Sequence, residues 1–193
     1  MRRLTIGPIM TTSIEQRYTK DVIPAMQKEF GYAHVLAVPR IKKVVVNIGV
    51  GKNGKEKWYH EEVIKYLTLI TGQKPSPRPA RKSIAIFKLR EGQIVGYKTT
   101  LRGKRMYDFL ERLVSSAIPR TRDFRGLDPK AVDAGGNITL GIKEHIIFPE
   151  VIGEETKTIF GLEITIVTSA ETREKADKLI RLLGFPLKKV EEK

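Results

Sequence analysis

The chain has no cysteine among its 193 residues. That removes disulfides, thiolate metal sites, iron–sulfur clusters and cysteine nucleophiles together, and it is compatible with a reducing compartment. Histidine is almost as scarce. His34, His60 and His145 stand far apart, with no H-E-x-x-H or similar spacing, so each is expected to be structural rather than a metal ligand. No apolar run approaches the roughly 18 residues of a membrane span. The opening MRRLTIGPIM carries Arg2 and Arg3 but few apolar residues, broken by Gly7 and Pro8, which does not make a signal peptide. Residues 1–13 are expected to be a flexible arm ahead of one α+β domain over residues 14–190. Repeats and low-complexity tracts are absent. Paired carboxylates, a catalytic triad and a metal cluster are missing too, so neither an enzyme nor a cofactor is expected.

Acid is the most unevenly missing feature. Between Lys74 and Arg105 ten basic residues face the single acid Glu91, giving +9 of the chain's net +14. Residues 1–73 contribute +6 and residues 106–193 contribute −1. Such concentration marks a polyanion-binding surface, which general solubility would not require. Nucleic acid, an anionic membrane and an acidic protein are the partners to weigh; the membrane loses ground because no basic amphipathic helix presents a free apolar face.

What is present is mostly periodic. Ile14, Tyr18, Val22, Met26 and Phe30 recur every fourth residue and predict an amphipathic helix, kinked or restarted at Pro24. Val44, Val46, Ile48 and Val50 alternate with Lys43, Val45, Asn47 and Gly49, which predicts a strand buried on one face with Lys43 and Asn47 on the other. Tyr59, Val63, Tyr66, Leu67 and Ile70 make a helical stripe ending at Gly72.

The turn GVGKNGKE after the first strand imitates two nucleotide-binding patterns. Gly49, Gly51 and Gly54 have dinucleotide-fingerprint spacing, and Gly49 to Lys55 spell a phosphate loop but for its last residue. Glu56 stands where the magnesium-holding hydroxyl belongs, and no acid follows about 20 residues on to hold a ribose. A glycine-rich strand exit or RNA-facing turn is the favoured reading; a nucleotide-binding enzyme is the alternative.

Pro75, Pro77 and Pro79 predict an extended, protruding loop carrying Arg78, Arg81 and Lys82. Ser83–Leu89 and Val95–Leu101 read as the two strands of a hairpin turning at Glu91–Gln93. In its second strand Gly96, Lys98, Thr100 and Arg102 form a small, hydroxylic and basic set. Together with Lys43 and Asn47 they describe a sheet covered by helices on one side and dressed for phosphates and ribose hydroxyls on the other. A third helix follows Gly103, burying Met106, Phe109, Leu110, Leu113 and Val114 and ending at Pro119. A long aperiodic loop from Arg120, of mixed charge, suits an interface. Strands at Asn137–Ile142 and around Leu162–Ile166 come next, then a last helix with Thr168 and Glu171 as its capping box.

The ordered blocks VPRIKKVVVNIGVG, ITGQKP, ARKSIAIFKLREGQIVGYKTTLRGKRMYDFLERL, IPRTRDFRGL, IIFPE and GLEITIVTSA…GFPL resemble the bacterial-type large-subunit ribosomal protein five family, over about Ile14 to Lys188. The resemblance implies an α+β fold: an antiparallel sheet with helices on one face, RNA-recognition-motif-like, with a protruding basic loop and a long interface loop. It implies 5S rRNA, 23S-type rRNA, peptidyl-site tRNA, small-subunit ribosomal protein thirteen and neighbouring large-subunit proteins as partners, and no membrane. The place implied is the cytoplasmic ribosome, with an organellar one left open. By this resemblance rRNA contacts fall on Asn47, Gly49, Gln73, Thr100 and Arg102, joined by Lys43 and Lys98 from the polar faces above. The tRNA contacts fall on Arg78, Arg81 and Lys82, and intersubunit contacts within Arg120–Pro149 on Arg120, Arg122, Arg125 and Lys143. GYKTTL is not the aromatic signature of a true RNA recognition motif, so recognition is expected to rest on backbone, shape and hydroxyls.

Overall fold

Alternating valines make the centre of the molecule. In the computed structural model, which describes residues 13–51, 54, 56–122 and 126–188, Val44, Val46 and Ile48 are almost wholly buried while Lys43, Val45 and Asn47 between them keep access to solvent. The strand they form, β1 (Ile41–Gly49), lies between two antiparallel neighbours, β3 (Ile94–Leu101) and β5 (Leu162–Thr168). Two short strands, β2 (Ser76–Pro79) and β4 (Ile138–Ile142), close the edges, giving the order β2-β3-β1-β5-β4 with every neighbouring pair antiparallel. The N-terminal arm, except Ser13, lies outside the described residues, as do Lys52, Asn53, Lys55 and Arg125.

Helices cover one face of this sheet. Chain entry is by α1 (Ile14–Arg17), a π turn over Tyr18–Val22, and α2 (Ile23–Phe30). Pro24, in the first turn of α2, has no N–H to return to the preceding turn, and the widened π turn absorbs that break. The stripe of α3 (Lys57–Thr71) buries Tyr59, Val63, Tyr66, Leu67 and Ile70, and Gly72 at φ 66° ends the helix in the left-handed conformation. Helix α4 (Gly103–Arg112) runs on through a π turn at Leu113–Ala117 and a 3₁₀ turn at Ile118–Arg120, and α5 (Arg173–Leu182) packs beside the π turn before α2. Phe109 of α4 stacks on Phe148, ring centres 6.0 Å apart.

Two expectations are corrected. The strand that pairs with β3 is the proline segment Ser76–Pro79, and Ser83–Leu89 is a turn held by one bridge between Ile84 and Leu89. Prolines every second residue leave their missing N–H groups on the strand's free edge, and a bulge between Arg78 and Pro79 accommodates the last. Ile84 and Ile86 alternate as a strand would, yet they stand 42% and 88% exposed with no sheet beneath them. The cap of α5 is Thr172, whose hydroxyl accepts from Lys175 N; Thr168 remains in β5, donating to Gly136 O at 2.7 Å. Strand bonds claim Thr168 first, so the helix starts four residues later.

The connector between β4 and β5 is tied down by α3. Glu62 Oε1 accepts from Lys157 N at 2.8 Å, Lys65 Nζ meets Glu154 Oε2 at 2.5 Å, and Tyr66 Oη donates to Glu155 O at 2.8 Å. Arg112 of α4 adds an ion pair to Glu150 and a bond to Ile70 O at 3.0 Å. The 3₁₀ turn Pro129–Ala131 and the bridge Val132–Ile138 bring the preceding loop onto β4.

Candidate nucleic-acid interface

The sheet face turned away from the helices is a grid whose rows follow from the strand register. One row crosses the sheet as Ser76, Lys98, Asn47, Glu163 and Gly141; the next holds Thr100, Val45, Thr165 and Thr139; Arg78, Gly96 and Gly49 form a third. Apart from Gly96, whose backbone is shielded, every one of these positions is exposed or half-buried. A Cβ at Gly96 would lie 2.6 Å from Ile48 O, so only glycine lets β3 approach β1 there.

Lys43, Asn47, Gly49, Lys98 and Thr100 therefore meet on one surface. Arg102 follows Leu101, the ladder partner of Val44, and is exposed at the start of α4. Gln73, just past α3, reaches Thr100 O with its Nε2 at 3.5 Å. Sequence reasoning missed Ser76, Glu163, Thr165 and Thr139 on this face, because only strand order shows which strands adjoin. Glu163 changes the electrostatics most. It accepts from Asn47 Nδ2 at 3.5 Å and puts a carboxylate in mid-sheet, so phosphates are favoured over the β2–β3–β1 half and opposed toward β5.

The three residues assigned to tRNA separate. Arg78 belongs to the edge strand, opposite Gly96, and shares the sheet face. Arg81 and Lys82 stand exposed on the loop that leaves β2, which is the segment that projects. Of the intersubunit set, Arg120 and Arg122 are exposed after α4, Lys143 is exposed at the far end of β4 from where the 126–136 segment joins it, and Arg125 lies outside the described residues.

The glycine-rich turn stands apart from both nucleotide-binding patterns. Those place the turn between parallel strands, whereas both neighbours of β1 are antiparallel. Gly54 O instead accepts from His60 Nε2 at 2.9 Å, since a carbonyl only accepts, and the other ring nitrogen, Nδ1, is hydrogen-bonded to the Tyr97 hydroxyl, also at 2.9 Å. Burial pushes the Tyr97 phenol up, keeping it a donor. Among the described residues no group of three or more His, Asp or Glu is placed to hold a metal ion, and no helix is long and apolar enough to cross a membrane.

An antiparallel sheet, basic and hydroxylic over the β2–β3–β1 half of its open face and backed by helices, defines an α+β protein with a surface suited to RNA. Residues 34–90 match the family model described as Ribosomal protein L5, and residues 94–187 match the model of the same ribosomal family's C-terminus. The Large ribosomal subunit protein uL5 of Dictyoglomus thermophilum is 49% identical over 176 residues, covering 91% of this chain and 98% of that protein. Its namesake in Syntrophomonas wolfei is 49% identical over 173 residues (90% and 97%), and that of Mesoplasma florum 47% over 180 residues (93% and 100%). The chain belongs to the ribosomal protein L5 family. It is a structural, non-enzymatic constituent of the large subunit in the cytoplasmic ribosome, with rRNA and ribosomal proteins as its partners.

Proposed function

We propose that the β2–β3–β1 half of the open sheet face binds 5S rRNA and helps attach it in the central protuberance of the large subunit, next to 23S-type rRNA. The observation that carries this reading is the row Ser76, Lys98, Asn47 with Thr100 and Arg78 beside it: cations and hydroxyl or amide groups in adjoining rows of one open sheet face. Contacts of this kind recognise phosphates and 2′-hydroxyls by position and shape. The loop beyond β2, with Arg81 and Lys82, contacts peptidyl-site tRNA, and the Arg120–Pro149 stretch contacts small-subunit ribosomal protein thirteen. One domain over residues 14–190 carries all three surfaces.

A gel shift with 5S rRNA against an unrelated RNA of equal length tests the first claim. Asn47→Ala with Thr100→Val is expected to weaken 5S rRNA binding by roughly 1–3 kcal/mol while leaving the circular dichroism spectrum unchanged. Unchanged affinity in the folded double variant assigns the RNA to another face.

A further inference from the structure

The segment between β2 and β3 is a built loop. At its base Ala80 N donates to Gln93 O at 2.8 Å and Gly92 N to Ala80 O at 3.0 Å. Farther out Ile84 and Leu89 exchange two N–H···O bonds of 3.1 Å, and Lys88, left-handed at φ 52°, returns the chain with its N–H on Ala85 O at 2.9 Å. On this fixed turn Ile86 and Phe87 stand 88% and 69% exposed. Arg81, Lys82, Lys88 and Arg90 flank them in the sequence on the same loop, and none of the four forms an ion pair among the described residues. Lys88, Arg90 and Gln93, with Gly54, also line an open cleft of about 770 Å³.

Two large apolar side chains held out in water gain only on contact, and four cations on the same loop, without an ion pair among the described residues, select a polyanion. In a ribosomal protein that polyanion is RNA, and its apolar faces are unpaired bases. The open sheet face has no aromatic residue on which a base could stack; Phe87 is on the loop. We infer that the tip of this loop packs Phe87 and Ile86 on the exposed face of an unpaired nucleobase, while Lys88 and Arg90 hold the adjoining phosphates. The inference rests on the proposed RNA contact of this loop and adds what the loop reads: base faces as well as charge.

The test uses the full chain and two RNAs, a hairpin with an unpaired loop and a fully paired duplex of equal length, at one salt concentration. In a Trp58→Phe background, Phe87→Trp supplies an indole at the tip, and its emission is expected to be quenched by the hairpin and unaffected by the duplex. Phe87→Ala with Ile86→Ser is expected to lose roughly tenfold affinity for the hairpin, the size of one base–aromatic stack, and none for the duplex. Lys88→Ala with Arg90→Ala is expected to weaken both. If the cation variant weakens both RNAs while the tip variant binds the hairpin like wild type, base packing is overturned and the RNA contact stands. If neither variant changes either affinity, the reading of the loop falls with it. An indole that blue-shifts with anionic lipid vesicles and ignores RNA overturns the inference in favour of a lipid contact.

Discussion

His145 has no exposed surface, and its ring lies parallel to Phe160 with centres 3.8 Å apart and Tyr66 at 5.0 Å. Its Nδ1 accepts from Phe160 N at 3.3 Å, which requires a neutral ring, and its Nε2 is buried with no hydrogen-bond partner among the described residues. Burial lowers the pKa from the ordinary 6.5, against smaller opposing pulls from the Phe160 backbone and the Glu62 carboxylate. The unfolded chain therefore takes up a proton near pH 6.5 that the folded protein refuses, so stability is complete above that pH and falls below it. For this one group the decline is at most about 1.4 kcal/mol per pH unit. Urea unfolding at pH 7.5 and 5.5 is expected to show a larger drop for wild type than for His145→Leu; equal drops would mean the imidazole is not the titrating group.

Among the elements, β2 and the loop after it divide a cluster of cations that looks continuous in the sequence. Arg81→Ala with Lys82→Ala is expected to leave 5S rRNA affinity nearly intact and to reduce retention of peptidyl-site tRNA on assembled ribosomes. Arg78→Ala, on the sheet face, is expected to do the reverse. A loss toward 5S rRNA from the loop pair, measured by the same gel shift, would merge the two surfaces into one. The strands β1, β3 and β5 and the stripes of α3 and α4 were legible because period two and period 3.6 are local properties of the chain. The pairing of Ser76–Pro79 was not, since Tyr97 and Lys98 lie some twenty residues on and prolines argue locally against a ladder. Alternation alone pairs Lys43 with Asn47 on one side of β1 and Lys98 with Thr100 on one side of β3, and the β1–β3 pairing joins the two sets. The membership of Glu163 and Thr165 depended on β5 returning beside β1, more than a hundred residues away, which no local pattern encodes.

The whole molecule is electrically lopsided. Its +9 segment forms β2, β3, their loop and the start of α4, whereas the β4–β5 connector carries Glu144, Glu150, Glu154 and Glu155. An RNA meeting the basic half and contacting about five phosphates would lose two to three decades of affinity between about 50 and 200 mM salt by counterion release. Titration at several salt concentrations is expected to give that slope, and a flat response would remove electrostatics as the main source of binding. The two sheet borders bear on a different interval, the time between synthesis and assembly. Backbone groups left open at a sheet border invite a second copy to add a strand. The prolines of β2 deny that border its donors, and at the other border Val132 bridges Ile138 and Asp133 N donates to Asn137 O at 2.9 Å beside the start of β4. A chain that must wait for its RNA while displaying a bare sheet face is thereby kept from polymerising edge to edge.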